Sequence, residues 1–243
     1  MNLAVVIPTF NEKENLPLIT RQLMELPLSG LRLLIIDDNS PDGTGQIADD
    51  LAAQYPGRIQ VLHRSGKLGL GTAYVTGFQM LLKTDAEYIG QMDADFSHPP
   101  EKLLELARAL EEGQADLAIG SRYIEGGSLD HDWPLWRKWL SRFGNDYSRL
   151  ILGAKLKDMT AGFRLWKRKV LETIPLEQVR SNGYIFQVEM AYLATLFGFK
   201  IAEIPIYFAE RKYGQSKMNL RIQMEAALRV WQLRGRYRHY RRK

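Results

Sequence analysis

Short apolar runs alternate with amphipathic stretches through the first half of the chain. Apolar runs bounded by turn residues are typical of buried strands, and apolar residues recurring every three or four positions are typical of helices. The pattern predicts strands at residues 3–8, 31–36, 59–62, 88–92 and 115–119, and helices from residue 11, at 44–54, from the glycine-rich loop 66–71 to 82, and at 100–112. Because strands alternate with helices, we expect an α/β fold with a mostly parallel sheet and helices on both faces.

The first helix has a candidate start signal. Asn11 is followed three residues later by Glu14, which is the spacing of a capping box, so we expect the helix to begin there.

The second half of the chain is less regular. We expect helices at residues 133–152, 185–197 and 220–233, a polar-to-aromatic loop at 158–166, a final strand at 200–208 and a polar loop at 210–217. No repeat or low-complexity linker interrupts the sequence. We therefore expect one domain at residues 1–217, followed by an amphipathic helix and basic tail at 218–243.

Polar clusters follow four of the predicted strands, at residues 9–12, 37–42, 93–98 and 120–122. In open α/β sheets, ligands bind beyond the carboxyl ends of the strands. The clusters therefore predict one ligand-binding cleft at that edge of the sheet.

The third cluster carries two carboxylates one residue apart, in Asp93-Ala94-Asp95. Two like charges at a strand end are costly without a partner, and a divalent cation would neutralise them. Mg²⁺ and Mn²⁺ prefer oxygen ligands, and Mg²⁺ is commonly held by one or two carboxylates together with substrate phosphates. The motif favours a metal-bridged diphosphate, and a solvated Asp-rich turn is the alternative.

Composition narrows the candidate chemistry. The 243 residues include no cysteine, which excludes disulfides, thiolate metal sites and a cysteine nucleophile, and which fits a cytosolic protein. The amino terminus lacks the basic segment of a signal peptide. No apolar run is long enough to cross a bilayer, so we expect no transmembrane helix.

The net charge of +5 is concentrated at the carboxyl terminus. Residues 234–243 contain six Lys and Arg side chains and no acid, so residues 1–233 carry a net charge of −1. Such a tail fits an anionic membrane surface or a nucleic acid. Because the body is nearly neutral, we expect no nucleic-acid partner.

The ordered set of motifs resembles the dolichol-phosphate (polyprenol-phosphate) mannose synthases, inverting glycosyltransferases of family 2. The stretches that carry the resemblance are residues 6–12, 36–44, 92–100, 119–123, 126–127, 133–137, 160–163 and 214–217. The resemblance implies a GT-A fold, which is Rossmann-like, and transfer of mannose from GDP-mannose to a polyprenyl or dolichyl phosphate with Mg²⁺ or Mn²⁺.

The resemblance also implies roles for particular residues. The nucleoside would contact Pro8, Phe10, Glu12, Ile36 and Asp38. The diphosphate and its metal would contact Asp93, Ala94 and Asp95, with Ser97 standing where some members have a glutamine metal ligand. Phosphates would be faced by Arg122, Arg137, Arg211 and Lys217, with Asp95, Arg122 and Arg137 as the catalytic set. The loop around Arg211 and Lys217 would close over the substrates.

Several interpretations stay open at this point. Arg122 fits a phosphate contact or a structural ion pair, and Asp158 lies near the position where sugar-transferring relatives keep a base, although a phosphate acceptor makes a structural role more natural. His98 adjoins the aspartate pair, but an oxygen-preferring metal makes it a weak candidate ligand. The aromatic side chains of the predicted helix at 133–152 fit either the core or a membrane surface.

The donor and the membrane attachment also have alternatives. UDP-glucose or another nucleotide sugar would support the same chemistry. A polyprenyl phosphate lies in a membrane, so we expect a peripheral enzyme on the cytoplasmic face. The C-terminal helix, with Leu220, Met224, Leu228 and Trp231 on one face, would hold it there by binding the lipid surface or a membrane-protein partner.

Overall fold

The computed structural model describes the backbone of residues 1–210 and 220–242, and the side chains of residues 1–210 and 227–240. The strands are β1 (Leu3–Thr9), β2 (Leu31–Asp37), β3 (Ile59–His63), β4 (Tyr88–Gln91), β5 (Leu117–Ser121), β6 (Ser128–Leu129), β7 (Arg164–Lys167), β8 (Ile201–Pro205) and β9 (Tyr207–Phe208). The helices are α1 (Leu16–Met24), α2 (Thr44–Gln54), α3 (Leu70–Leu81), α4 (Leu103–Glu111), α5 (Leu135–Leu152), α6 (Arg168–Thr173), α7 (Gly183–Leu196) and α8 (Leu220–Arg236).

The main sheet confirms the predicted α/β architecture. Its order is β3-β2-β1-β4-β7-β5-β8, and every neighbouring pair is parallel except the two pairs that include β7. The short strands β6 and β9 form a separate parallel ribbon beside it. The carboxyl ends of β1, β2, β4 and β5 therefore meet at one edge.

Alternating side chains of the central strands divide the core into two layers. In β1, Ala4 and Val6 belong to the core layer that also contains residues of α3, α6, α7 and α8, whereas Leu3, Val5 and Ile7 belong to the layer that contains residues of α1, α2 and α4. Because both faces are covered, the strand is apolar almost throughout rather than alternating.

Two of the predicted boundaries are wrong. Asn11 adopts a left-handed backbone with φ 61°, and α1 begins only at Leu16. The loop predicted at residues 158–166 ends inside strand β7, which lies antiparallel between β4 and β5. A strand of four residues with arginine and lysine at its ends gives little period-two signal, and only its position in the middle of the sheet buries it.

The predicted final strand divides in two. Residues 201–205 extend the main sheet as β8, and residues 207–208 leave it to pair with β6. This bend carries the chain from the sheet to Ala209 and Glu210 beside the cleft described below.

The C-terminal helix packs against α5 and α7. Val230, Leu233 and Tyr237 are buried in the core, while Leu228 and Trp231 remain exposed. The predicted apolar face therefore points outward at Leu228 and Trp231, and Leu220 and Met224 lie outside the described side chains. Among the described residues, none of the helices combines the length and hydropathy needed to traverse a bilayer.

Candidate active site

A cleft of about 450 Å³ opens where the four predicted polar clusters converge. Its lining includes Pro8, Phe10, Glu12, Asp38, Asp93, Ala94, Asp95, Arg122 and Arg137. These residues follow β1, β2, β4 and β5 or stand on α5, so the parallel order of the sheet brings them together. Nine of the predicted site residues thus share one cavity.

The Asp93–Asp95 pair is held by neighbouring polar groups. The Tyr74 hydroxyl donates to Asp93 Oδ1 at 2.8 Å, and the Ser97 hydroxyl donates to Asp95 Oδ1 at 2.6 Å. The His98 Nδ1 accepts from the Asp93 backbone N–H at 3.1 Å, so His98 positions the turn. Burial raises the pKa of Tyr74 well above its ordinary value, with a further contribution from the Asp93 charge, and the phenol stays a proton donor.

Ser97 lies behind Asp95 rather than on the cleft. Its side chain is buried and it is absent from the lining, whereas Asp93 and Asp95 both line it. Among the described residues, no three His, Asp or Glu side chains converge as a metal-binding group. Two carboxylates fit a metal whose remaining ligands are substrate phosphates and water, which is the usual arrangement for Mg²⁺.

The aromatic ring of Phe10 marks one end of the cleft. The Lys67 Nζ lies 3.8 Å from the centre of this ring. Asp38 accepts from Arg64 Nε at 2.5 Å, so the carboxylate predicted to contact the nucleoside already has a cationic partner. Ile36 is completely buried beneath this end and packs in the core, so it supports the cleft from below.

Arg122 forms a buried ion pair with Asp158. The Nε and Nη2 atoms of Arg122 each donate to one Asp158 oxygen at 2.8 Å, and Nη2 also donates to Thr160. Burial alone would raise the pKa of Asp158, but the Arg122 charge and hydrogen bonds outweigh it and the net pKa lies below its ordinary value. The structure thus shows the ion pair, and because Arg122 also lines the cleft, its contact with a phosphate stays a prediction.

Arg137 stands at the amino-terminal turn of α5. Its guanidinium lies 3.5 Å from the centre of the Trp133 ring, and Nη1 donates to Glu210 Oε2 at 2.6 Å. Trp133 is buried and lines the cleft, so the core interpretation holds for this tryptophan. Arg211, which directly follows Glu210 in the sequence, and Lys217, six residues further on, lie outside the described residues.

A second cavity of about 800 Å³ runs along α5 and shares Arg122 with the cleft. It is lined mainly by apolar and aromatic groups, among them Tyr123, Leu129, Trp139, Phe143 and Leu150. Trp139 stacks on Phe143, and Phe143 stacks on Tyr147, with ring centres 5.4 and 6.1 Å apart.

The exposed apolar side chains of α5 and α8 form one surface, which we call the aromatic face. Its members are Leu135, Trp136, Trp139, Phe143 and Leu150 from α5 and Leu228 and Trp231 from α8. The indole N–H of Trp231 donates to the Tyr147 hydroxyl at 2.9 Å and joins the two helices. For Trp136, Trp139 and Phe143, which are all more than half exposed, the structure therefore rules out the core interpretation.

The sequence analysis missed Lys67, which lines the cleft, and Tyr74, which is buried behind it and holds Asp93. Lys67 stands in the glycine-rich loop, which was expected only to start a helix, and Tyr74 follows on α3 with the spacing of an ordinary core residue. The lysine could have been found from its place in a loop beyond a strand end. Nothing in the sequence distinguishes Tyr74 from its apolar neighbours.

The chain matches the family model described as glycosyl transferase family 2 over residues 4–175. Polyprenol monophosphomannose synthase of Mycolicibacterium smegmatis is 47% identical over 234 residues, which cover 96% of this chain and 87% of that protein. Undecaprenyl-phosphate mannosyltransferase of Micrococcus luteus is 44% identical over 240 residues, which cover 98% of this chain and 96% of the relative.

Solved structures share the fold at low sequence identity. Glucosyl-3-phosphoglycerate synthase of Mycobacterium tuberculosis, in complex with Mn²⁺, UDP and glucosyl-3-phosphoglycerate, has a TM-score of 0.64 and 18% identity over 96% of this chain and 78% of its own. The mannosyltransferase PcManGT of Pyrobaculum calidifontis, in complex with GDP-Man and Mn²⁺, has a TM-score of 0.62 and 16% identity over 93% of this chain and 61% of its own.

The fold and the sequence matches together show that the chain belongs to glycosyl transferase family 2 and has the GT-A fold. Within that family it groups with the polyprenyl-phosphate mannose synthases, to which both bacterial relatives belong.

Proposed function

We propose that this enzyme transfers mannose from GDP-mannose to the phosphate of a polyprenyl or dolichyl phosphate, with inversion at the anomeric carbon. The observation that carries the proposal is the cleft, which combines an aspartate pair on one strand end with Arg122 and Arg137 on the adjoining elements. The two mannosyltransferase relatives, similar along nearly the whole chain, support mannose and a lipid phosphate.

The nucleotide would lie at the Phe10 end of the cleft. Phe10 offers a stacking surface, Pro8 and Glu12 flank it, and Lys67 supplies a cation. The GDP-Man bound to PcManGT supports the guanine nucleotide. UDP-glucose is the alternative donor, because the glucosyl-3-phosphoglycerate synthase structure holds UDP in the same fold.

Asp93 and Asp95 would hold the divalent metal. Bound there, Mg²⁺ or Mn²⁺ would neutralise charge on the leaving diphosphate. The Mn²⁺ in both solved relatives supports this assignment. The protein's own contribution is to fix the two carboxylates through Tyr74 and Ser97.

The acceptor phosphate would approach from the Arg122 and Arg137 side. Guanidinium groups match phosphate oxygens in geometry and charge. A phosphate monoester has a second pKa near about 6 and is already anionic at neutral pH, so no general base is required. This agrees with Asp158, whose carboxylate accepts hydrogen bonds from Arg122 and stays ionised as its partner.

The aromatic face would contact the membrane that contains the lipid acceptor. Exposed tryptophans among basic side chains are typical of helices that lie in a membrane interface, and Lys138, Arg142, Arg229 and Arg234 stand on α5 and α8. The α5 cavity begins at this surface and reaches Arg122. We propose that the enzyme sits on the cytoplasmic face of a membrane through the aromatic face, with or without a membrane-protein partner, and not through the basic tail alone.

The direct test is transfer of labelled mannose from GDP-mannose into an organic-soluble product. The reaction contains dolichyl or undecaprenyl phosphate, detergent, and Mg²⁺ or Mn²⁺. We expect metal-dependent labelling that falls by about 100-fold or more in Asp95→Ala, because the variant loses a carboxylate from the diphosphate site.

Two further results would change the proposal. Activity only with UDP-glucose would keep the mechanism and replace the donor. A trapped mannosyl-enzyme, or an α-linked product, would contradict single displacement with inversion.

A further inference from the structure

The chain terminus reaches the interior of the domain beside the cleft. Tyr237, just beyond α8, is completely buried, and its hydroxyl donates to Glu189 Oε1 at 2.8 Å. Arg236 Nη1 donates to the same oxygen at 3.2 Å. We call Arg236, Tyr237 and Glu189 the C-terminal latch.

Glu189 is a costly residue to bury at this position. Its side chain has no exposed surface, and an ionised carboxylate in the core requires charged or hydrogen-bonding partners. Its other oxygen, Oε2, accepts from the Ser181 backbone N–H at 3.0 Å. One carboxylate thus joins the end of the chain to the turn that precedes α7.

This turn, residues 181–183, is part of the cleft structure. Gly183 lines the cleft and is followed by Tyr184 and Gln187 on the first turns of α7, which also line it. A side-chain carbon at Gly71 would lie 2.2 Å from the Ser181 carbonyl oxygen. The turn therefore packs directly against the start of α3.

The start of α3 in turn contacts the nucleoside end of the cleft. The Gly69 backbone N–H donates to Asp38 Oδ2 at 3.4 Å, and a side-chain carbon at Gly69 would lie 2.8 Å from Asn182 Oδ1. A displacement of the 181–183 turn would consequently reach Asp38 through Gly69.

We propose that Glu189 and Tyr237 are positioning residues, which hold the 181–183 turn and thereby the donor end of the cleft. The same helix that presents Trp231 on the aromatic face ends in this latch.

The sharpest variant is Tyr237→Phe, which removes the hydroxyl with its contacts to Glu189 Oε1 at 2.8 Å and to the Gln178 carbonyl oxygen at 3.4 Å, and keeps the ring in the core. Tyr240→Phe is the matched control, because it makes the same change at a neighbouring ring, which contacts Phe197 at a tilt of 45° with centres 4.9 Å apart. Glu189→Gln is the second variant, since it keeps the shape and removes the charge.

The first measurement is amide hydrogen exchange of the free protein, which depends on no assumed substrate. Tyr237→Phe and Glu189→Gln should accelerate exchange at residues 181–183 and 69–71 by about five- to tenfold, as expected for a weakened buried hydrogen bond. Unchanged exchange in these segments, or an equal change in Tyr240→Phe, would overturn the proposal.

The second measurement rests on the proposed function and uses GDP-mannose, with UDP-glucose as the alternative donor. Both latch variants should raise the KM for the donor by about fivefold and change kcat by less than about twofold, because the donor end is loosened and the reacting groups are kept. A fall in kcat at constant KM would overturn the link to the donor end. If neither donor is used, the proposed function fails, and the exchange measurement still decides the latch.

Discussion

At the scale of single residues, the site depends on side chains that never touch the cleft surface. Ser97 is buried, yet its hydroxyl and backbone N–H both donate to Asp95 Oδ1. Partners of this kind fix the direction of a metal-binding carboxylate. The sequence resemblance placed Ser97 among the metal ligands. In the structure, the Ser97 hydroxyl instead orients the Asp95 carboxylate.

Ser97→Ala should lower the affinity for Mn²⁺ by about 10- to 100-fold, because Asp95 loses the hydroxyl that orients it. Calorimetric titration of Mn²⁺ in the presence of the nucleotide measures the effect. Ser40→Ala is the control, since it removes a similar hydroxyl contact from Asp37, which carries no predicted metal role. Equal affinities in Ser97→Ala and the wild type would show that the hydroxyl is dispensable for the metal site.

Asp158→Asn should lower the free energy of unfolding by about 3–5 kcal/mol, because Arg122 would remain charged and buried without its carboxylate. Urea denaturation measures the loss. The pKa of Asp158 is lowered in the folded state, so the stability from this pair is present above pH about 4 and is lost as pH falls through the lowered value. The free energy of unfolding of Asp158→Asn should therefore lack this loss at acid pH. A pH profile equal to that of the wild type would contradict the stabilising role of the ion pair.

At the scale of elements, the sequence predicts best where a segment is long and periodic. The helices at α2 and α4 and the strands β1 and β2 follow their apolar patterns closely. Strand β7 does not, because its four residues are buried by the neighbouring strands and not by a pattern of their own. The start of α1 was misplaced because Asn11 instead takes a left-handed conformation, which asparagine tolerates.

Site prediction follows the same division. The aspartate pair comes from a loop directly after a strand, which the sequence locates well, whereas Arg137 was predicted only from the family resemblance. The aromatic face depends on which side of α5 the domain leaves uncovered. Amphipathic spacing alone does not decide which of the two sides of the helix is buried. Only the packing of α8 against α5 decides it.

The contact of α3 with the sheet gives a testable prediction at this scale. A side-chain carbon at Gly77 would lie 2.6 Å from Val6 Cγ1 and 3.0 Å from Ile36 Cδ1. Gly77→Ala should therefore lower the free energy of unfolding by about 1–3 kcal/mol, because α3 must move away from β1 and β2.

Gly235→Ala makes the same substitution on α8 where the added carbon meets no atom within 4 Å. It should leave stability unchanged or raise it by up to about 1 kcal/mol, since alanine favours the helix. Thermal or urea unfolding of the two variants measures the free energy of unfolding. The difference between them separates the effect of close packing at Gly77 from the effect of helix propensity. A stable Gly77→Ala variant would show that the sheet and α3 adapt.

At the scale of the whole molecule, one side of the protein exposes large apolar side chains to solvent, and we propose that this side contacts the membrane. The aromatic face and the α5 cavity lie on the same elements, and the cavity ends at Arg122 in the cleft. A lipid phosphate could then enter the cleft while its apolar chain stays against the protein and the membrane.

The double variant Trp139→Ser with Phe143→Ser should weaken binding to vesicles containing anionic lipid by about 10- to 100-fold, because two large apolar groups no longer enter the interface. Vesicle sedimentation measures it. Leu18→Ser is the control, since Leu18 is an exposed apolar residue of α1 outside the aromatic face. Unchanged sedimentation of the double variant would exclude this face as the docking surface.

The antiparallel strand β7 also determines when the sheet can be completed during synthesis. On the ribosome, β1 to β5 emerge first, but β4 and β5 are joined only through β7, which ends at Lys167, and β8 completes the sheet near residue 205. A nascent chain that has passed β5 but not β7 therefore still exposes the unpaired edges of β4 and β5 that β7 later fills. The catalytic edge of the sheet cannot be completed until nearly the whole domain has been synthesised.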